Sequence, residues 1–162
     1  MAKSRAATQQ ERKADRTIVT NRRALHDYFV LETLEAGIVL SGTEIKSLRE
    51  GKIQLVDAYV RIEHGEMWMI GAHISPYSHG NYYNHEADRP RKLLAHKEQI
   101  AQMRAQVEQK GLTLIPLKVY LKQGRAKVEV GLCRGKRLYD KREATAEREA
   151  QRDIARALRD RE

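Results

Sequence analysis

The feature that most constrains this chain is a pair of apolar ladders on either side of Gln123-Gly124. Ile115, Leu117, Val119 and Leu121 precede the break at every second position, and Ala126, Val128, Val130 and Leu132 follow it in the same rhythm. Period-two alternation puts such residues on one face of a strand, and a short Gly-containing break between two such runs reads as a hairpin. The opposite faces carry Lys118, Tyr120 and Lys122 on one strand and Arg125 and Lys127 on the other. A hairpin that is apolar on one side and cationic on the other must cover its apolar side with further elements.

Several segments can supply that cover. Leu25–Leu34 reads as a strand with Phe29 and Leu31 on one face and Tyr28 and Val30 on the other, turning at Glu35-Ala36-Gly37 into Ile38-Val39-Leu40. A helix over 23–35 also fits the spacing, but β-branched and aromatic residues favour the strand. Ser41-Gly42-Thr43-Glu44 has the form of a capping box opening a short helix that Gly51 ends. Ile45 and Leu48 would press that helix inward, leaving Lys46, Arg49 and Lys52 facing a ligand. Val56, Ala58, Val60 and Ile62 alternate inward against outward Tyr59 and Arg61, and His64-Gly65 turns the chain into a strand over Met67–Ile70. Ser75–Asp88 is a polar loop. Pro90 suits the first turn of an amphipathic helix of about five turns carrying Leu93, Ile100, Met103 and Val107 up to Lys110-Gly111. The expected fold is mainly β with flanking helices: a small antiparallel barrel, with the five-stranded oligonucleotide-binding type as its natural candidate because closure removes exposed edges.

Outside residues 21–134 the pattern changes. Met1–Thr20 lacks apolar periodicity and reads as a mobile arm without the apolar segment of a secretory signal. Residues 135–162 form a basic tail in which Arg148, Arg152, Arg156 and Arg159 fall in one helical stripe and Ala150, Ile154 and Leu158 in a second, thinner one. Such a helix is marginal alone. The tail is therefore expected to lack order when free and to become helical in a negatively charged groove.

Net charge is +9 and unevenly spread: residues 24–88 hold four basic and ten acidic side chains, whereas 89–127 hold ten basic and two acidic. A basic half with basic ends suits a polyanion, because each cation near a phosphate releases condensed counterions. No run approaches the ~20 apolar residues needed to span a bilayer. One cysteine, Cys133, excludes an internal disulfide framework, points to a reducing cytoplasm, and sits on the outward register without a base partner. Nucleotide-loop and nucleophile-elbow motifs are absent from the sequence. His79, Asn81, Asn84, His85, Glu86 and Asp88 faintly suggest a nuclease metal site, but at no established spacing.

Three stretches narrow the reading: Asn21–Phe29 with Glu35–Ile38 and Gly42–Arg49, then Asn84-His85 with Arg89–Leu94, and Gly135–Arg142. Together they closely resemble the transfer-messenger-RNA-binding proteins of bacterial trans-translation, the small protein B family, over about residues 21–143. The resemblance implies an oligonucleotide-binding-type barrel with a basic tail and no enzymatic activity, cofactor, metal, membrane or small-molecule substrate. Its partners would be the tRNA-like domain of transfer-messenger RNA, elongation factor Tu indirectly through that RNA, and the stalled ribosome, whose empty mRNA channel would take the tail. By motif, Asn21, Tyr28, Glu35, Tyr59, Leu94 and His96 correspond to positions in or near the RNA-contacting surface. Charge and placement add Arg22, Lys46, Arg49, Lys52, Arg91, Lys92 and Lys97. His26 corresponds to a position approaching the decoding centre, and Lys136, Asp140, Lys141 and Arg142 match the tail motif needed for the ribosomal step. A resident ribosomal or ribosome-assembly protein is the alternative within the same partner class, and a nuclease using His85, Glu86 and Asp88 the alternative outside it.

Overall fold

The computed structural model describes residues 15–77 and 86–161. In chain order the elements are β1 (Arg16–Thr20), α1 (Arg22–Asp27), β2 (Tyr28–Ile38), α2 (Gly42–Arg49), β3 (Ile53–Gln54), β4 (Tyr59–Glu63) and β5 (Glu66–Ile70). They continue with β6 (His73–Ile74), β7 (Arg91–Leu94), α3 (Lys97–Lys110), β8 (Thr113–Lys122), β9 (Arg125–Gly135) and α4 (Leu138–Arg159). The β8–β9 hairpin forms around Gln123 and Gly124, both at positive φ (52° and 74°). That left-handed pair matches the twist of the flanking strands. His64 and Gly65 repeat the arrangement between β4 and β5 (φ 50° and 75°).

The main sheet runs β1-β8-β4-β5-β7-β2-β9, and β9 also pairs with β8. Pairing thus makes a circuit of six antiparallel strands, with β1 added outside on β8 and β3–β6 forming a separate pair. Inside lie Leu34, Ala36, Val60, Met67, Met69, Leu93, Val119, Val128, Val130 and Leu132, all buried. Ile100 and Met103 of α3 and Leu48 of α2 join this core from the flanks. The fold is mainly β with flanking helices, as the alternation implies, but with more strands than five.

The extra strands mark where local patterns mislead. Leu25–Leu34 is not one strand, because Asn21 Oδ1 accepts from the Ala24 amide (3.1 Å) and caps α1 before the chain extends at Tyr28. The expected turn at 35–37 is absent; Ala36, 1% exposed, continues β2 and pairs with Val128. Pro90 does not open a helix. Arg91–Leu94 pairs with both β5 and β2, and the helix starts only after His96. Arg16–Thr20 is no free arm but the strand β1, with Ile18 and Val19 packed against the core; residues 1–14 lie outside the described ones.

A register shift between Pro116 and Lys118 divides the first ladder. Val119 and Leu121 face the main core, while Ile115 and Leu117 turn to a smaller cluster with Ala24, Cys133 and Tyr28 beneath α1. One extra residue in a strand reverses the faces that follow it. Val56, expected inward, is 54% exposed because β4 begins only at Tyr59. Finally, the tail expected to lack order is the 22-residue helix α4, none of whose residues is buried.

Candidate nucleic-acid interface

The outer face of β2, β8 and β9 carries the densest alternation of cations with a ring. Tyr120 pairs across to Lys127, Lys118 to Glu129 and Lys122 to Arg125, while Glu35 of β2 lies opposite Glu129. The Tyr120 hydroxyl donates to Glu35 Oε2, and Lys122 Nζ stands 3.5 Å from Oε1. Lys118 Nζ lies 5.4 Å from the Tyr120 ring centroid and 3.8 Å from Glu129. The Tyr120 hydrogen bond holds the Glu35 carboxyl below its ordinary range, with Lys122 and Lys127 adding to it against a smaller desolvation effect. Burial and the Glu35 charge push the Tyr120 phenol up. Leu94, 55% exposed, pairs with Gly37 at the margin of this face, and a Cβ at Gly37 would sit 3.5 Å from Leu94 Cβ and 3.8 Å from Lys127 Nζ. Lysines, a ring, a carboxylate and an exposed leucine therefore form one surface, the mixture that single-stranded or folded RNA meets by phosphate contact and stacking.

A second surface lies at the other end of β2. Asn21, Tyr28 and Tyr59 line one cleft with Arg23, Val56 and Asp57. Seven residues along a strand separate Tyr28 from Glu35, so the two surfaces are roughly 23 Å apart. Asn21 is only 4% exposed, and its Nδ2 donates to Leu55 O (3.1 Å) and Pro116 O (3.0 Å). With Oδ1 capping α1, its side chain is committed to the fold. Asn21 shapes the cleft and does not offer a free group to a ligand. Tyr59, 41% exposed, does present its ring.

Comparison with known proteins places these surfaces in context. Residues 18–160 match the family model described as SmpB protein. The chain belongs to the SmpB family. It is 57% identical over 148 residues to the SsrA-binding protein of Desulforudis audaxviator, covering 91% of this chain and 97% of that one. It is 56% identical over 145 residues to the SsrA-binding protein of Desulfitobacterium hafniense, covering 90% and 93%. A solved structure described as "tmRNA-SmpB: a journey to the center of the bacterial ribosome" matches with a TM-score of 0.63 at 50% identity, over 78% of this chain and 93% of that chain. These relatives are binding proteins, and the family places this chain among them rather than among enzymes.

Within this SmpB fold the remaining candidates separate by environment. Lys46 and Arg49 are exposed on α2, with Lys46 Nζ 5.5 Å from the Tyr77 ring centroid, and Lys52 pairs with Glu50 (3.1 Å). Arg22, His96 and Lys97 are exposed; the His96 amide donates to Gln99 Oε1 (3.3 Å) at the start of α3. Lys92 is half-buried against Glu66 (3.0 Å).

Arg91 overturns the expectation that it faces a ligand. It is wholly buried, with Nε 2.6 Å from Glu44 Oε2, Nη1 2.7 Å from Ala72 O and Nη2 2.9 Å from Ala87 O. Arg89 binds the other oxygen of Glu44. Glu44, legible in the sequence only as a capping residue, does close the capping box with Ser41 (2.9 Å) but also pairs with two guanidiniums, one on each oxygen. Charge counting has no signal for this, because a buried and an exposed arginine look alike in sequence. Tyr120, Lys122 and Lys127 were legible as an outward cationic face but not as partners of Glu35, 85 residues from Tyr120 in sequence.

The tail motif gathers at the junction of α1, β2 and α4. His26 Nδ1 lies 2.9 Å from Asp27 Oδ1, Lys141 Nζ 3.3 Å from the same oxygen, and His26 Nε2 3.4 Å from Thr145 Oγ1. The His26 hydrogen bond lowers the Asp27 pKa, with Lys141 assisting against desolvation. Asp140 accepts from the Arg137 amide (3.1 Å) at the start of α4, and Arg142 is exposed. Lys136 Nζ and the Arg134 guanidinium lie 5.0 Å and 5.2 Å from the Phe29 ring centroid. His79, Asn81, Asn84 and His85 lie outside the described residues. Among the described residues no cluster of His, Cys, Asp and Glu could hold a metal ion; Asp88 instead meets His73 Nδ1 at 2.8 Å.

Proposed function

We propose that this chain is a non-catalytic, cytoplasmic protein that binds the tRNA-like domain of transfer-messenger RNA and brings it to stalled ribosomes for trans-translation. Elongation factor Tu takes part through the RNA. The strand circuit acts as an oligonucleotide-binding-type barrel that grips RNA, while α4 enters the mRNA channel left empty by a truncated message. The observation that carries the reading is the joining of Glu35 and Leu94 on one face with Lys118, Tyr120, Lys122 and Lys127. Two residues matched by motif and four assigned by no motif meet there, on the scaffold of a family whose relatives are named for binding SsrA.

Support for treating the two parts as separable comes from α4, which buries none of its residues and meets the body through Lys141 to Asp27 and Thr145 to His26, while Gly135 still pairs with Tyr28 and the Lys136 amide donates to Asp27 O (2.8 Å). Ending the chain after Arg137 therefore removes the tail helix and keeps the fold. Affinity for the RNA should remain within about twofold of the full chain while peptide tagging in a reconstituted translation system is lost. Parallel loss of both would refute the division.

A further inference from the structure

A carboxylate at the centre of a phosphate-binding surface opposes its own purpose unless it recognises something other than phosphate. Glu35 is such a group, set among Lys118, Lys122 and Lys127. Its orientation is fixed from two sides: one oxygen accepts from the Tyr120 hydroxyl, and the other stands 3.5 Å from Lys122 Nζ. Tyr120 is itself held, its ring beneath Lys118 and its backbone paired with Lys127 across the β8–β9 hairpin. Its single hydroxyl proton is directed to Glu35, so it does not serve as a phosphate donor. At 41% exposure the Glu35 side chain stays within reach of a ligand from solvent.

We propose that Tyr120 is a positioning residue that aims the Glu35 carboxylate outward as a specificity-determining acceptor for an RNA N–H or 2′-hydroxyl donor, so that this point of the surface rejects phosphate. The lysines around it supply general affinity to any RNA backbone; the aimed carboxylate supplies discrimination. Phosphate contacts position an RNA without reading it, whereas a fixed acceptor favours a ligand that brings a donor to that point. Tyr120 acts only through Glu35. This inference rests on the proposed RNA-binding function.

The test uses the full chain and two RNAs: a transcript of the tRNA-like domain of transfer-messenger RNA, and poly(U) of similar length. Tyr120→Phe keeps the ring and its contact with Lys118 but removes the hydroxyl. It should weaken binding to the tRNA-like transcript about tenfold. Poly(U) affinity and the slope of log affinity against log salt should not change, since no cation is lost. In a Glu35→Ala background the same substitution should have no further effect. Glu35→Gln, which leaves Tyr120 in place, should also lower discrimination between the two RNAs. Equal loss on both RNAs, a changed salt slope, or an undiminished effect in the Glu35→Ala background would overturn the positioning role, as would unchanged binding of Tyr120→Phe. If the unsubstituted protein itself fails to prefer the tRNA-like transcript, the proposed function fails; if it prefers it and Tyr120→Phe behaves identically, only this inference fails.

Discussion

Replacing Glu44 with glutamine should remove the one charge that allows Arg91 to be buried. Arg91 and Glu44 are both wholly inaccessible, joined at 2.6 Å, with Arg89 on the second carboxylate oxygen. Burial alone would push the Glu44 carboxyl up; Arg89, the Ser41 amide and Arg91 together pull it down from 4.5 to about 2. That displacement corresponds to about 3 kcal/mol of preference for the ionised form in the folded state. Removing one partner of a buried pair costs a similar ~3–5 kcal/mol, since the other charge is left uncompensated. Two separate routes thus give about 3 kcal/mol, or roughly 6–12 °C in midpoint for a chain of this size. Because the folded pKa is depressed, the contribution is complete above pH 4.5 and is lost as pH falls toward about 2. Urea unfolding at pH 7 should show the full deficit in Glu44→Gln, and the gap to the unsubstituted protein should narrow at pH 3. Glu44→Gln combined with Arg91→Met should recover part of the loss, as apolar replacements of buried pairs often do. A deficit below about 1 kcal/mol at pH 7, or one that is unchanged at pH 3, would show that the guanidiniums find other compensation.

Other consequences concern the remaining buried groups. Asn21→Ala removes the cap on α1 and the Nδ2 hydrogen bonds to Pro116 O and to Leu55 O, which keeps only the Ala58 amide (3.0 Å); a stability loss of about 2–3 kcal/mol is expected in denaturant titration. Cys133 is inaccessible and burial raises its thiol pKa to about 11, so native protein at pH 8 should resist a thiol reagent that labels it promptly in urea. At Gly131 a Cβ would fall 2.7 Å from Leu117 Cδ1 and 3.1 Å from Cys133 Sγ, so Gly131→Ala should cost about 1–3 kcal/mol by overpacking the small cluster, measured the same way.

The elements legible in the sequence were those whose pattern is self-contained. The β8–β9 hairpin combines alternation with a turn at positive φ, and α2 combines a capping box with Gly51 at φ 76°. Both signals lie within a few residues and do not depend on the rest of the chain. Strands β1 and β7 are different. Four residues such as Arg91–Leu94 carry too little pattern to outweigh the neighbouring Pro90 and the long helical spacing that follows, and only pairing makes these segments strands, β7 with β5 and β2 and β1 with β8. The division of the first ladder was invisible for a similar reason: a bulge at Pro116–Lys118 is a property of two strands together, read in the sequence as unbroken alternation.

The candidate site shows the same limit in electrostatic form. A basic half of the chain is a sound pointer to a polyanion, but the cations that produce it serve different ends. Arg91 and Arg89 compensate Glu44 inside, Lys92 meets Glu66, and Lys141 meets Asp27, whereas Lys118, Lys122 and Lys127 stay on an outer face. Residue type cannot sort these classes, because cations of both kinds meet carboxylates and the deciding quantity is whether the pair comes to lie inside the fold or on its surface. Glu44 and Arg91 are 47 residues apart, and Glu35 and Tyr120 85. In the first case the meeting withdraws a charge from any ligand; in the second it fixes a carboxylate where a ligand can reach it. The same ion-pairing chemistry thus stabilises the fold where it is placed inside, and leaves a fixed, reachable carboxylate where it is placed on the surface.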